Sequence, residues 1–489
     1  MYTLNLLIPV LVGPYLARVL DVGLYAEYNT SLSILQWFLP FAIFGIYAYG
    51  MRQASRERDN PEKSGKIFSQ LFLLGIISTT IVWICYMAFV LIVKADYFWL
   101  YLLVGIQIIA NYFAVEWVNE AFENYTFILY KTVLVRIGYI ISIFIFVKTP
   151  SDILPFAVIA SLVILFNNIL GFWYIKRKAP FVHVSIKELK VLMKPLFMIM
   201  ILTNANMLFL MLDRLYLSLF SRVNIYITYY TFSQLIMMAI LNVLSSIMYV
   251  TVPRLSNYLF AKNRTEYNSL LTISAHYFFL FTIPICAGIA ALGPEIMYLY
   301  AGDNYIGAGS TLVVFALCFI INAVDLSLSN QVLFVNGMEK KLIRIYLTAG
   351  GLNVVFDTVL VLINKLTPIL LISTTAICYL VVILLQHFTI QRELGRGISP
   401  LDRTTIKYIS ISLCFIPIAA GFRRLFNVAL ALNKTMFLFL MIVIGVCTVF
   451  YVLLLYFTHD IYFLKILYSI KDNNIKILGK CKGDKIPLK

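Results

Sequence analysis

The sequence predicts an all-α integral membrane protein of about fourteen transmembrane helices, with two six-helix lobes followed by two C-terminal helices and a basic tail. Three observations carry this. Of 489 residues, 61% are apolar and 13% charged, against roughly 45–50% and about 25% in a soluble domain. The apolar residues gather into runs long enough for helices that need roughly 20 residues to cross a bilayer. The breaks between runs alternate between strongly and weakly basic, as the two sides of a membrane require. A soluble enzyme, a disordered regulator and a large external domain on a single anchor are thereby excluded.

The runs are taken in order. The first, 1–18, holds Pro9 and Pro14 and has no basic residue ahead of Arg18. It lacks the charged start and small-residue cleavage site of a signal peptide. Either this span is short or the natural chain begins further upstream, and the second is favoured. Runs 27–50, 67–93, 99–118, 132–147 and 154–175 complete a first set of six. Runs 195–218, 229–252, 271–294, 307–332, 343–363 and 367–390 form a second set, and 404–422 and 434–457 close the series. They are rich in Leu, Ile, Phe and Met without strict alternation and are too long for barrel strands, so they read as helices. Pro40, Pro284, Pro417 and the pair Gly350-Gly351 lie inside runs, where they either bend helices or are simply tolerated. From Asp460 to Leu478, apolar residues on one side among lysines read as a helix on the inner membrane surface. The domain reading is 1–194 for the N-terminal lobe, 195–390 for the C-terminal lobe, 391–458 for two added spans and 459–489 for the tail.

The net charge of +16 is a topological signal. Of 39 Lys and Arg, 29 fall in one set of breaks and 8 in the other, leaving Arg136 and Arg214 within runs. The positive-inside rule places both termini in the cytoplasm. Anionic membrane lipids are sufficient partners for the excess base, so no nucleic acid is needed. The seven cysteines form no CxxC pair and the four histidines are scattered. No metal and no cofactor are expected. No GxxxxGK[ST] is present and the breaks are too short for an ATPase, so transport without a motor, rather than an enzyme, is the leading class.

An internal repeat supports that class. Tyr15–Thr30 aligned on Tyr216–Thr231 gives six identities in sixteen positions, among them Tyr15/Tyr216, Tyr25/Tyr226 and Thr30/Thr231. Six spans separate the two segments, as parallel repeats require, and a substrate path between two lobes follows.

Several ordered segments stand out: Pro14-Tyr15-Leu16-Ala17-Arg18-Val19-Leu20, Gly23-Leu24-Tyr25, Phe44-Gly45-Ile46, Tyr49-Gly50-Met51-Arg52, Arg56-Glu57-Arg58-Asp59, Asp213-Arg214 and Val252-Pro253-Arg254-Leu255-Ser256. Together they resemble the polysaccharide repeat-unit flippases (Wzx-type) of the multidrug/oligosaccharidyl-lipid/polysaccharide exporter superfamily. The chain departs from the family where Asp21 replaces the usual Gly and where a basic leader before the first span is missing. The resemblance implies a V-shaped, MATE-like bundle in a bacterial cytoplasmic membrane. It implies an undecaprenyl-pyrophosphate oligosaccharide as substrate, flipped outward for capsule, exopolysaccharide or O-antigen synthesis. Polysaccharide polymerase and glycosyltransferases are the implied partners.

A pyrophosphate head suits arginine, whose planar fork makes paired charge-assisted bonds. Ionisable groups within spans are functional candidates by default. Candidate substrate-binding residues are therefore Arg18, Arg52, Arg136, Asn206, Asp213 and Arg214. For Arg18 and Arg52 the competing reading is an end-of-span anchor. Thr203, Asn206 and Asp213 fall on one helical face, about 100° from Arg214. Asn322, Asp325 and Ser329 make a second polar stripe, and Asn353 and Asp357 a third. Asp325 or Asp357 is a candidate site for a coupling H⁺ or Na⁺, against a plain interhelical contact. Glu116 and Glu120, with Glu123, share a face at the end of the fourth run and read as an inner gate toward Arg52, Lys131 or Arg136, or as a solvated helix end. The rival functions are a MATE-like multidrug exporter, whose cavity should be acidic, and a lipid-linked peptidoglycan precursor flippase. A polysaccharide polymerase or ligase is disfavoured by the short loops and the repeat.

Overall fold

The computed structural model describes residues 2–176, 181–204, 208–395, 402–426 and 434–468, and the described residues contain helices and no strand. The helices are α1 (Tyr2–Val19), α2 (Val22–Ile43), α3 (Ile46–Arg56), α4 (Pro61–Val93), α5 (Phe98–Ile109), α6 (Glu116–Ala121), α7 (Tyr125–Phe146), α8 (Ile153–Lys176), α9 (Ile186–Asn204) and α10 (Leu208–Phe220). They continue with α11 (Ile225–Tyr249), α12 (Val252–Phe260), α13 (Arg264–Ala301), α14 (Ala308–Ser327), α15 (Glu339–Leu362), α16 (Pro368–Leu394), α17 (Arg403–Leu413), α18 (Phe415–Leu425) and α19 (Lys434–Phe457). Among the described residues, 12 stretches are long and apolar enough to cross a membrane. They match twelve of the fourteen expected runs. α1 occupies the place of the first run, and α9 with α10 that of the seventh. Of the expected surface helix in the tail, the part beyond residue 468 lies outside the described residues.

Local chemistry sets the helix ends. Asp21 accepts from the backbone N–H of Gly23 at 2.9 Å and of Leu24 at 3.0 Å, capping α2. The residue that departs from the family pattern is thus a helix cap. Asn60 accepts from Lys63 N–H at 3.1 Å ahead of Pro61, the first residue of α4. Asp152 accepts from Lys148 and Thr149 N–H at 2.9 and 2.7 Å, and these donors hold its carboxyl below the usual carboxylate range.

Several spans are interrupted. α2 stops at Phe44, and Phe44 and Gly45 both take the left-handed conformation before α3 begins. Pro40 cannot donate to the carbonyl one turn behind it, and the stretch that follows closes on Phe44 N–H to Pro40 O at 2.9 Å. At Gly45 (φ +71°) a Cβ would lie 2.4 Å from Leu196 O and 2.9 Å from Met200 N of α9. Gly45→Ala therefore meets both a backbone clash and a strained dihedral. We expect it to destabilise the detergent-solubilised protein by about 2 kcal/mol or more, read as a lowered thermal midpoint. A second span is also broken: α5 ends in a 3₁₀ turn, Ala110–Phe113, before α6. α13 kinks at Leu292 between Pro284 and Pro294, and a π-helical turn, Leu328–Phe334, follows α14.

The chain divides into two compact units, Met1–Ile236 with Tyr300–Thr311 and Glu339–Cys378, and Met237–Leu299 with Leu312–Met338 and Tyr379–Lys489. In the first, Phe68, Leu71, Trp117, Val118, Ile175 and Leu196 form a buried core at the basic-rich end. Tyr25, Tyr28, Phe156 and Phe232 pack ring against ring elsewhere in that unit. In the second, buried Gln331 on the π turn donates to Thr251 Oγ1 at 2.9 Å and Ser274 Oγ at 2.8 Å. There Arg423 holds Glu295 and the carbonyl of Ala291. Asp460 accepts from Lys407 and Tyr408, joining the end of α19 to α17. Large apolar side chains such as Ile84 (61% exposed), Leu134 (70%) and Leu438 (59%) point outward, the pattern of a surface that meets lipid.

Candidate functional site

The site grows from two adjacent residues of α10. Successive helical side chains diverge by about 100°, and Asp213 and Arg214 enter different surroundings within the first unit. Asp213 is fully buried. Its Oδ2 accepts from Tyr230 Oη of α11 and from Thr375 Oγ1 of α16, both at 2.7 Å. Facing it is the side chain of Asp357 from α15, also fully buried. Asp357 Oδ1 accepts from Thr374 Oγ1 at 3.1 Å and lies 3.5 Å from Asn353 Nδ2, which is in turn 3.4 Å from Thr375 Oγ1.

Three oxygens of this cluster, Asp213 Oδ1, Asp357 Oδ2 and Asn353 Oδ1, are buried without a hydrogen-bond partner. Two buried carboxylates this close repel unless a proton or a cation lies between them. No Lys or Arg forms an ion pair with either carboxylate among the described residues. The Cys378 thiol lies near both carboxyls, but the orphaned atoms are all oxygens, which match a proton or a hard cation. No group of three or more His, Cys, Asp or Glu is placed to hold a metal ion among the described residues.

Arg214 turns the other way, toward α2. It is 8% exposed. Nε donates to Ser33 Oγ at 3.0 Å and Nη1 to Gln36 Oε1 at 2.8 Å. Both partners are neutral. A guanidinium removed from water normally finds an anion, and none of the described residues supplies one. Beside Gln36 opens a cavity of about 350 Å³ lined by Gln36, Leu39, Pro40, Gly45, Tyr47, Thr203, Asn204 and Met211, among others. The break at Phe44–Gly45 forms part of its wall, so the interruption of α2 and the site are one feature.

The remaining candidates are distributed over both units. Arg136 is half-buried near the middle of α7, beside Tyr139, with no hydrogen bond or ion pair among the described residues. Arg18 is exposed and donates to Pro14 O and Tyr300 O, each at 2.9 Å. There it caps the carbonyl end of α13, a favourable place for a cation. Arg52 is exposed on α3. Asn206 lies outside the described residues. Asp325, in the second unit, is 1% exposed and accepts from Gln386 Nε2 at 2.6 Å.

Glu116 pairs with Lys131 of α7 at 2.5 Å, and the Lys131 side chain is 1% exposed. Glu120 lies half-buried on the same short helix. The three acids do not share one helical face: α6 ends at Ala121, and Glu123 sits beyond it at φ +56°, paired with Arg58 at 2.9 Å.

Sequence reasoning missed Ser33, Gln36, Tyr230, Thr374 and Thr375 as site members. Their signal is faint: single polar residues at spacings of three or one inside apolar runs, each meaningful only once its partner helix is known. It also missed buried Glu27, which accepts from Tyr101 Oη at 2.6 Å and Lys94 Nζ at 3.2 Å.

Residues 1–259 match the family model described as polysaccharide biosynthesis protein. A Shigella dysenteriae protein named as an O-antigen transporter is 22% identical over 356 residues, covering 72% of this chain and 88% of its own length. Among solved structures, the lipid II flippase MurJ in an inward closed conformation superposes with a TM-score of 0.72 at 15% identity, over 96% of this chain and 97% of that one. The shared all-helical membrane fold is the content of that last likeness.

Proposed function

Because the chain belongs to the polysaccharide biosynthesis protein family, we propose that it is a flippase. It carries undecaprenyl-pyrophosphate-linked oligosaccharide repeat units from the inner to the outer leaflet of a bacterial cytoplasmic membrane. There they are assembled into capsule, exopolysaccharide or O-antigen. This is transport, not catalysis.

The observation that carries the reading is Arg214, a buried cation with only neutral partners among the described residues, one of which, Gln36, lines a cavity. A pyrophosphate entering that cavity supplies the missing anion, and the guanidinium fork suits its oxygens. Arg136, without an ion pair among the described residues in the middle of a span, is a second contact on the way through, and Arg18 and Arg52 mark the two mouths. The isoprenoid tail stays in lipid. The relative named as an O-antigen transporter and the fold neighbour named as a lipid II flippase both support a lipid-linked saccharide. A cation-exporting drug pump needs an acidic cavity instead, and none of the described residues lining the wall around Gln36 is an acid.

Energy enters at the neighbouring residue. The Asp213–Asp357 cluster takes up one H⁺ or Na⁺, and α10 carries this site and the pyrophosphate site on adjacent side chains. Loading one therefore biases the position of the other, which is what coupling requires. Lobes 1–194 and 195–390 then alternate in access around the bound head group, with Glu116 and Glu120 at the inner gate.

Conditional depletion tests the reading. The expected result is an undecaprenyl-linked oligosaccharide accumulating on the inner leaflet with loss of surface polysaccharide. Accumulation of the lipid-linked peptidoglycan precursor instead would reassign the substrate. Unaltered polysaccharide with raised drug sensitivity would replace the reading with a multidrug exporter.

A further inference from the structure

We propose that the chain carries a pH-released strap: the helical segment 461–468 closes one end of an apolar groove in the second unit, and the charged ring of His276 latches it there. The device is regulatory and stands independently of which substrate is carried.

The strap begins just beyond α19. Asp460 accepts from the backbone N–H of Tyr462 at 3.1 Å and of Phe463 at 3.0 Å, which caps the helical segment 461–468. The same carboxylate accepts from Lys407 and Tyr408 of α17. Further on, Phe463 and Ile466 line a groove of about 430 Å³ with Leu280 and Pro284 of α13 and Ile444 and Tyr451 of α19. A spacing of three puts both side chains on one face of the segment, so the strap turns its apolar face to the groove. Tyr462 leaves the segment about 100° away from Phe463 and stacks on the ring of His276 of α13, with centroids 4.3 Å apart and planes within 9°.

Both nitrogens of the His276 ring meet oxygens. Nδ1 lies 2.7 Å from Thr272 O, and Nε2 lies 2.7 Å from Asp402 Oδ2. Neither a backbone carbonyl nor a carboxylate has a proton to give, so both nitrogens donate and the ring is an imidazolium. Its charge serves two contacts at once, the ion pair with Asp402 and the aromatic face of Tyr462. Asp402 is held by its other oxygen, Oδ1, which accepts from Thr405 N–H at 2.8 Å and Thr405 Oγ1 at 2.9 Å. A neutral ring keeps one of the two hydrogen bonds, sets a lone pair against an oxygen at the other nitrogen, and loses its charge over Tyr462. Among the described residues, the other titratable groups about this stack are Tyr277 of α13, Lys407 and Tyr408 of α17, which Asp460 holds, and Tyr462 itself. Imidazole is the one type among them whose ordinary change of charge falls between about pH 5 and 8. The latch therefore holds at low pH and weakens as pH rises. His276 is buried, while the Asp402 side chain is 41% exposed, which gives protons a route from water. The site lies among the strongly basic breaks that the positive-inside rule assigns to the cytoplasm, so the strap answers to cytoplasmic pH.

The test uses the full chain in nanodiscs and amide hydrogen exchange of the segment 461–468, read by mass spectrometry and corrected for the intrinsic effect of pH on exchange. Wild-type protection is expected to fall by about tenfold or more between about pH 6 and about pH 8.5, the effect of losing one hydrogen bond to a charged group. His276→Gln should show low protection at both values. Asp402→Asn should reverse the response. Its Oδ1 still caps Thr405, so its amide nitrogen stands where Oδ2 stood, and an N–H donor there suits a neutral ring and opposes an imidazolium. Protection should then rise with pH. His459, beside Asp460, is retained in every variant and cannot produce such a reversal. Tyr462→Phe should keep the wild-type response and Tyr462→Ala should abolish it. Equal wild-type protection at both pH values overturns the proposal, as does an Asp402→Asn variant that responds in the wild-type direction.

Discussion

Asp213→Asn and Asp357→Asn are each expected to abolish the dependence of transport on an ion gradient, lowering gradient-driven flipping by about a hundredfold. The expectation follows from the orphaned oxygens. Asp213 Oδ1, Asp357 Oδ2 and Asn353 Oδ1 are buried and unsatisfied, and each such group costs about 1–3 kcal/mol if left so. A single Na⁺ can be shared by all three, a single H⁺ by two of them, and either removes the repulsion between the two carboxyls. Either asparagine removes the charge that the ion balances, so the site no longer distinguishes loaded from empty. Because the carboxyls act as one unit, Asp213→Asn/Asp357→Asn should be no worse than either single change, the mark of a shared site. Proteoliposomes with an imposed proton or sodium gradient measure this directly. A gradient dependence surviving both substitutions would remove the cluster from the energy path. Its loss in Asp325→Asn instead would move the ion site to the Asp325–Gln386 pair of the second unit.

Why some of this was legible in the sequence and some was not follows from what a single helix can encode. The apolar runs and the alternating basic breaks depend only on the solvent along the chain, and twelve of the runs reappear as described helices of spanning length. The divergence of Asp213 and Arg214 also follows from helical geometry alone. The stripe Asn353–Asp357 was visible at a spacing of four, but its meaning was not, because Asp213 lies 144 positions away on another helix. The internal breaks were harder. Phe44-Gly45-Ile46 was noted as a motif, yet the interruption there depends on α9 approaching so closely that only glycine fits. Likewise Glu116, Glu120 and Glu123 looked like one acidic face because spacing presumes an unbroken helix. The chain leaves the helix after Ala121, and Glu123 is claimed by Arg58. Ser33 and Gln36 are single polar residues in an apolar run, and their role emerges only with Arg214 placed against them.

Arg214→Gln is expected to lower flipping by about a hundredfold or more while leaving the folded protein as stable as before, or more so. The two halves of this expectation have one cause. A buried guanidinium with two neutral acceptors keeps its desolvation cost uncompensated, so replacing it by a neutral amide relieves the resting protein. Few buried residues behave this way; removing one member of the Glu116–Lys131 pair, by contrast, strands a charge and should cost about 3–5 kcal/mol. The energy withheld from folding at Arg214 becomes available to an incoming pyrophosphate, the trade of stability for activity that functional sites show. Arg214→Lys refines the test. Lysine keeps the charge and loses the planar fork, so transport should fall by about tenfold only, with Gln36 no longer held at the same angle. Thermal unfolding in detergent, run beside the flipping assay, supplies both readouts. A Gln variant that unfolds well below wild type would make Arg214 a structural strut, and a stable variant that still flips would show that the pyrophosphate is met elsewhere.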